Sequence, residues 1–352
     1  MDNIKRYVAC LICLLVVASC LCIRLRAAEP EPTARAAILI DASTGRVIYE
    51  KNSDAQLQMA STTQIMTTLL TIAAGDLDDY FEVDSEAIRV EGSSMGLYEG
   101  ASVTRRMLLY GMMLPSGNDA ANAAAVSVAG DCNKFVDMMN AKAQELGLEN
   151  THFITPSGLD DYTNDHYSTA HDMAMLAARA MENPVFRDVC STRSICLKFG
   201  DGKDCWLSNS NRLLDSCEGV IGVKTGFTDK AGRCLVSACE RDGVTLICVT
   251  LNDPNDWYDH NRLYDYGYSL IANRTLEGVS LKVPCVGGID EFLPAGSEDI
   301  ILPLFEDDLK NVERRITMQR FIYLPAQSGH AVGKVTYYLD GKVIAQRDIV
   351  LE

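Results

Sequence analysis

Three short polar motifs at fixed separations constrain this chain more than anything in its composition. The first, Ser61-Thr62-Thr63-Gln64, opens the stretch Met59 to Leu70, whose apolar positions Met59, Ile65, Met66, Leu69 and Leu70 fall mostly at helical spacing. A helix is expected to begin at or just before Ser61, with the Ser61 hydroxyl and the Gln64 side chain on one face. The free N–H groups and positive dipole end of such a helix favour developing negative charge, which suits a nucleophile. Ser-x-x-Gln is equally a capping box, so alone it does not choose between chemistry and a helix cap. Ser116-Gly117-Asn118 lies 55 residues further on, in a Pro/Gly/Asn loop that opens a run of small helix formers. By itself it reads as a cap with an Asx turn. Lys224-Thr225-Gly226 follows after another 108 residues, in a short apolar run stopped by glycine. That is the pattern of an edge strand, where a solvated lysine also deters aggregation.

In this order and at these gaps the motifs resemble the Ser-x-x-Lys, Ser-x-Asn and Lys-Thr-Gly set of β-lactamases and penicillin-binding proteins. Over roughly residues 34 to 352 the chain is similar to low-molecular-mass penicillin-binding proteins that act as serine D-alanyl-D-alanine carboxypeptidases. The likeness is also carried by Ala37 to Asp41, Gly45 to Glu50, Met139 to Ala143, Pro156-Ser157-Gly158-Leu159-Asp160, Asn209 to Leu214 and Ala231-Gly232. It implies an α/β (α+β) fold: a DD-peptidase/β-lactamase-like domain with an antiparallel sheet and a helical lobe, plus a small C-terminal β-rich domain. It further implies that Ser61 attacks the carbonyl between the two terminal D-alanines of a peptidoglycan stem peptide, and that β-lactams acylate the same serine. In that scheme Ser116 relays a proton to the leaving group and Asn118 holds the substrate amide. Lys224 and Thr225 hold the terminal carboxylate, Gly226 lets substrate approach the strand, and the N–H groups of Ser61 and Phe227 form the oxyanion hole. No cofactor is implied. Nor is a metal, because the five histidines are scattered and no Cys/His cluster has zinc-ligand spacing.

One departure outweighs the agreement. The family pattern has lysine where this chain has Gln64, and usually proline where it has Gln58. That lysine, neutral at rest, takes the serine proton; an amide has no lone pair of useful basicity. General-base catalysis contributes about 10²- to 10⁴-fold, so impaired turnover is expected. Three readings stay open: a pseudoenzyme that binds penicillin or peptidoglycan without turnover, a poorer base such as Lys224 or an ordered water, and a recent single-base change from a lysine codon. Asp41, Glu91 and Asp172 read as structural.

The remainder of the chain supplies the setting. Lys5 and Arg6, an apolar run from Tyr7 to Ile23, then Arg24, Arg26 and Ala27-Ala28 mark residues 1–28 as an export signal or N-terminal anchor. Cleavage near Ala27 or Ala28, retention as an anchor and acylation at Cys20 are three fates that all place the rest outside the cytoplasmic membrane, with membrane association through this segment. Residues 29–35 read as a linker, 36–273 as the catalytic domain, 274–278 as a second linker and 279–352 as the β-rich domain. A formal charge of −16 offers no basic stripe for nucleic acid. Of 13 cysteines, nine lie from Cys132 onward with no framework spacing. They read mostly as small buried hydrophobes, with Cys190–Cys205 or Cys196–Cys205 as candidate disulfides.

Overall fold

A run of apolar residues too short for a helix, Ala36-Ala37-Ile38-Leu39-Ile40, forms strand β1 (Ala36–Asp41) and is buried on both of its faces. The computed structural model describes residues 28–159, 163–289 and 291–352. Residues 1–27, which carry the reading as an export signal or anchor, and Asp160 lie outside the described residues. Among the described residues, no helix is long and apolar enough to cross a membrane. Two compact units are present, one from Pro30 to Gly267 and one from Tyr268 to Glu352.

In the first unit β1 turns through Thr44-Gly45 into β2 (Val47–Lys51), with a bulge between Leu39 and Ile40. On its other side β1 pairs with β9 of a five-stranded antiparallel sheet ordered β2-β1-β9-β8-β7. Between β2 and the sheet's return the chain builds a helical lobe. It comprises α1 (Gln64–Ala73), the ribbon β3 (Tyr80–Glu82) with β4 (Ser102–Thr104), α2 (Arg105–Met113), α3 (Asn118–Ala129) and α4 (Cys132–Glu145). There follow α5 (Ala170–Met181), α6 (Pro184–Ser191), the hairpin β5 (Ser194–Lys198) and β6 (Asp204–Ser208), and the short α7 (Leu213–Ser216). Starts are set by side chains: Thr104, Asp131, Thr169 and Asn183 each accept from first-turn N–H groups. Strands β7 (Val220–Thr228), β8 (Gly232–Arg241) and β9 (Val244–Leu251) then complete the sheet, and α8 (Asp256–Ser269) closes the unit. Strand periodicity divides β1 between two cores. Ala36, Ile38 and Ile40 join the lobe, whereas Leu39 meets α8 at Gly267, where any side chain would collide with its Cδ2 at 2.6 Å.

The entry to β1 is tied to α8 by carboxylates. Thr33 donates its N–H and hydroxyl to Asp259, and the hydroxyl also lies 2.8 Å from Asp253 Oδ1. Burial first, and Asp259 beside it, push the Asp253 carboxyl up to about 6. The folded chain therefore keeps a proton that the unfolded chain has lost, and stability is expected to fall as pH rises from about 4 to about 6. Asp253→Asn should flatten that slope and raise the melting temperature at neutral pH.

In the second unit, β10 (Ile271–Leu276) pairs antiparallel with β13 (Ile300–Phe305). A six-stranded sheet runs in the order β14 (Glu313–Met318), β16 (Ala331–Leu339), β17 (Lys342–Leu351), β12 (Phe292–Gly296), β11 (Ser280–Val286) and β15 (Ile322–Tyr323). Val283, Ala295, Val332, Val335 and Ile349 fill its core. Strand β10 runs across the boundary read at residue 273 and through most of the linker read at 274–278. Its backbone groups are satisfied by a partner strand some thirty residues away, which no local pattern announces.

Candidate active site

The serine turn is built from small and hydroxyl residues. Ala60 has a left-handed backbone, φ +49°, an uncommon conformation for a residue with a Cβ. A 3-10 turn, Ala60–Thr63, follows and runs into α1, leaving Ser61 half-buried at its start. The carbonyls of the turn are held locally: Thr62 donates its hydroxyl to Met59 O at 2.6 Å and Thr63 to Ala60 O at 2.8 Å. Against this turn lies Gly158, φ +91°, where a Cβ would stand 2.1 Å from Ala60 O and 2.9 Å from Ser61 Cα. Only glycine permits so close an approach.

The capping box does not form. Gln64 turns away from the helix start and is fully buried, its Nε2 facing Ser157 O at 3.1 Å, Asn118 Oδ1 at 3.3 Å and Ser116 O at 3.4 Å. Its Oε1 is buried with no hydrogen-bond partner. Three acceptors converge on an amide nitrogen that owns two hydrogens, while the amide oxygen has no donor. An ammonium would match all three and leave nothing unpaired. The socket has lysine's hydrogen-bonding complement and glutamine within it.

Ser116 and Asn118 are not caps either. Gly117 is the N-cap of α3 without a side-chain bond, and Ser116 holds φ +67°. Asn118 is fixed on both sides, its Nδ2 donating to Glu91 O at 2.8 Å and its Oδ1 facing Gln64. Next to it Asp119 accepts from the N–H groups of Met95, Gly96 and Leu97 and from the Ser94 hydroxyl, which pins the loop beside the motif. Glu91 thus contributes a carbonyl; Asp41 closes its own turn through Ser43, and Asp172 holds Asn150 and Thr151.

The third side of the cleft is strand β7, at the sheet edge. A Cβ on Gly226 would stand 3.1 Å from Met59 O, Ser61 N and Thr62 N, so the strand lies directly against the serine turn. Lys224, two residues earlier, projects from the same strand face. It is fully buried, with Nζ donating to Thr225 O at 2.8 Å, and burial lowers its pKa to about 7. Thr225 shares a 2.7 Å hydrogen bond with Ser210, whose N–H donates to Leu114 O, so the segment after β6 braces both β7 and the loop leading to Ser116. Phe227, the next residue along the strand after Gly226, is 62% exposed.

Sequence reasoning assigned no role to His166, Ser157, Gly158 or Asp119. His166 Nδ1 accepts the Ile154 N–H at 3.0 Å, so Nε2 carries the proton toward Thr63 Oγ1 at 2.7 Å. The chain His166–Thr63–Ala60 O therefore stiffens the left-handed residue before Ser61. A lone histidine gives no spacing signal, although the Pro-Ser-Gly run did mark a tight turn. Burial drives His166 down to about 3, and His260 likewise. Their contribution is complete above the unfolded value of about 6.5 and is lost as pH falls toward about 3. Acid unfolding should be steep in that window, and less so in His166→Gln, as read by circular dichroism against pH.

The cysteines from Cys132 to Cys285 are all thiols, so neither Cys190–Cys205 nor Cys196–Cys205 is formed. Cys190 instead packs 3.7 Å from Met181 Sδ, and Cys205 faces Met95 O; most of the rest are buried in the core as small hydrophobes. No cluster of three or more metal-ligating side chains occurs among the described residues.

An antiparallel sheet whose edge strand meets a helical lobe at a serine turn is the fold of the DD-peptidase and β-lactamase class. The profile described as D-alanyl-D-alanine carboxypeptidase matches residues 24–255, and that of penicillin-binding protein 5, C-terminal domain, matches 281–352. The chain is 33% identical to the D-alanyl-D-alanine carboxypeptidase DacF of Bacillus subtilis, over 92% of its own length and 86% of the relative's. With DacA of Escherichia coli the identity is 31%, over 92% and 83%. The crystal structure of the Streptomyces K15 DD-transpeptidase superposes with a TM-score of 0.65 at 34% identity, covering 69% of this chain and all of that one. The chain belongs to the D-alanyl-D-alanine carboxypeptidase family.

Proposed function

We propose that this protein is a serine DD-carboxypeptidase that removes the terminal D-alanine from peptidoglycan stem peptides outside the cytoplasm, with turnover limited by Gln64. Ser61 Oγ attacks the carbonyl between the last two residues, D-alanine leaves, and water hydrolyses the acyl-ester. The N–H groups of Ser61 and Phe227 receive the oxyanion, and Thr225, joined by Lys224 only in its protonated form, receives the substrate carboxylate. Ser116 passes a proton to the leaving amine, and Asn118 orients the substrate amide. The observation that carries this reading is the socket around Gln64, whose three oxygens and unpaired Oε1 fit a lysine better than the residue present. Lys224 supplies the substitute base: it shares a strand face with Gly226 beside Ser61 and is close to half neutral at pH 7.

Incubation with a fluorescent penicillin tests the proposal. Slow, stoichiometric labelling that vanishes in Ser61→Ala, with slow D-alanine release from a stem-peptide mimic, is the expected result. Reversible binding with no adduct would instead identify a wall-binding pseudoenzyme.

A further inference from the structure

Two thiols outside this cleft meet at the entry to β7. Cys217 follows α7, and the turn Glu218-Gly219 leads from it into the strand; Gly219 has φ +85° and no room for a side chain, since a Cβ would stand 2.6 Å from Glu240 O. Cys239 lies on β8 opposite Val220. Its thiol lies 3.4 Å from Glu218 O and would stand 3.1 Å from a Cβ at Gly219, so it borders the two-residue turn that leads out of Cys217. Arg241 spans the same turn, placing Nε 3.1 Å from Glu218 O and Nη2 3.7 Å from Cys217 Sγ. Cys217 keeps 6% of its surface and Cys239 none.

From this pairing we propose that Cys217 and Cys239 form a thiol–disulfide exchange site, with Cys217 attacking and Cys239 resolving. The Cys217 thiolate attacks one sulfur of a low-molecular-mass disulfide and expels one thiolate. Cys239 then attacks Cys217 Sγ, its proton passing to solvent, and expels the second thiol. Two protein thiols become one disulfide while the external disulfide is reduced to two thiols. The new bond would staple the turn before β7 to β8, on the strand that carries Lys224, Thr225 and Gly226.

The electrostatics agree. The Cys239 thiol first, and then Arg241, outweigh burial and the opposing charge of Asp265 on α8, and bring Cys217 down to about 7. Burial first, with nearby aspartates adding to it, pushes Cys190 and Cys234 up to about 12. Those thiols are inert by comparison.

The test exposes the full chain to oxidised glutathione, quenches with acid and maps peptides by mass. The expected product of the unsubstituted chain is a Cys217–Cys239 linked peptide, with two thiols lost and no glutathione kept on the pair, at a rate that rises as pH passes about 7. Cys239→Ser should retain one glutathione on Cys217, and Cys217→Ser should leave Cys239 unreacted. The proposal fails if Cys217 stays a thiol while the exposed Cys196 reacts, if native Cys217 holds glutathione without release, or if Cys217 pairs elsewhere. These readouts do not depend on turnover at Ser61, so they stand or fall separately from the carboxypeptidase proposal.

Discussion

Gln64→Lys is expected to raise the rate of Ser61 acylation by penicillin, and of D-alanine release, by about 10²- to 10⁴-fold. The socket is already shaped for the change. Ser157 O, Asn118 Oδ1 and Ser116 O all face the Gln64 nitrogen, and a lysine nitrogen placed there can bond all three. The substitution also removes the buried, unpaired Oε1, whose desolvation costs about 1 to 3 kcal/mol. The melting temperature should therefore hold or rise despite a new ionisable group in the core. Once its proton is lost, the lysine nitrogen offers Ser61 the lone pair that an amide withholds. Acylation no faster than in the parent protein would mean that Gln64 is not what limits the chemistry.

Acylation of the unsubstituted protein should increase with pH through about 7, following loss of the Lys224 proton. The sign is set by the role: a base works when neutral, and the neutral fraction grows with pH. Were Lys224 only a cation for the substrate carboxylate, KM would worsen over the same range with kcat unchanged. Lys224→Arg separates the two roles, since guanidinium keeps its charge at every accessible pH. We expect it to lower acylation by about 10²-fold, and the same substitution added to Gln64→Lys to be tolerated far better. An Arg variant that acylates at the parental rate would remove Lys224 from the proton path. The pH profile of the parent answers the same question even if Lys224→Arg folds poorly.

Much of the site was legible before any coordinates because its residues come in short runs. Ser61 to Gln64, Ser116 to Asn118 and Lys224 to Gly226 each occupy one turn or one strand, and adjacency in sequence keeps them adjacent in space. The helix that follows Ser61 and the edge strand that carries Lys224 follow from local apolar patterning. What escaped notice are residues that act through distant partners. His166 meets Thr63 across 103 positions, Ser157 meets Gln64 across 93, and Asp119 binds a loop more than twenty residues upstream. None of these carries a spacing signal.

The sequence by itself determined which groups could do chemistry here and that one of them, at position 64, is the wrong kind for a base. Lone-pair basicity is a property of a residue, and no fold can lend it to an amide. Only the tertiary structure decided where that amide points. Ser-x-x-Gln satisfies a capping box as readily as a catalytic site, and the choice was made by three oxygens from remote segments that draw the Gln64 nitrogen into the cleft. The lowered proton affinity of Lys224 was also beyond the sequence, because it arises from the removal of water when the folded chain buries the side chain completely.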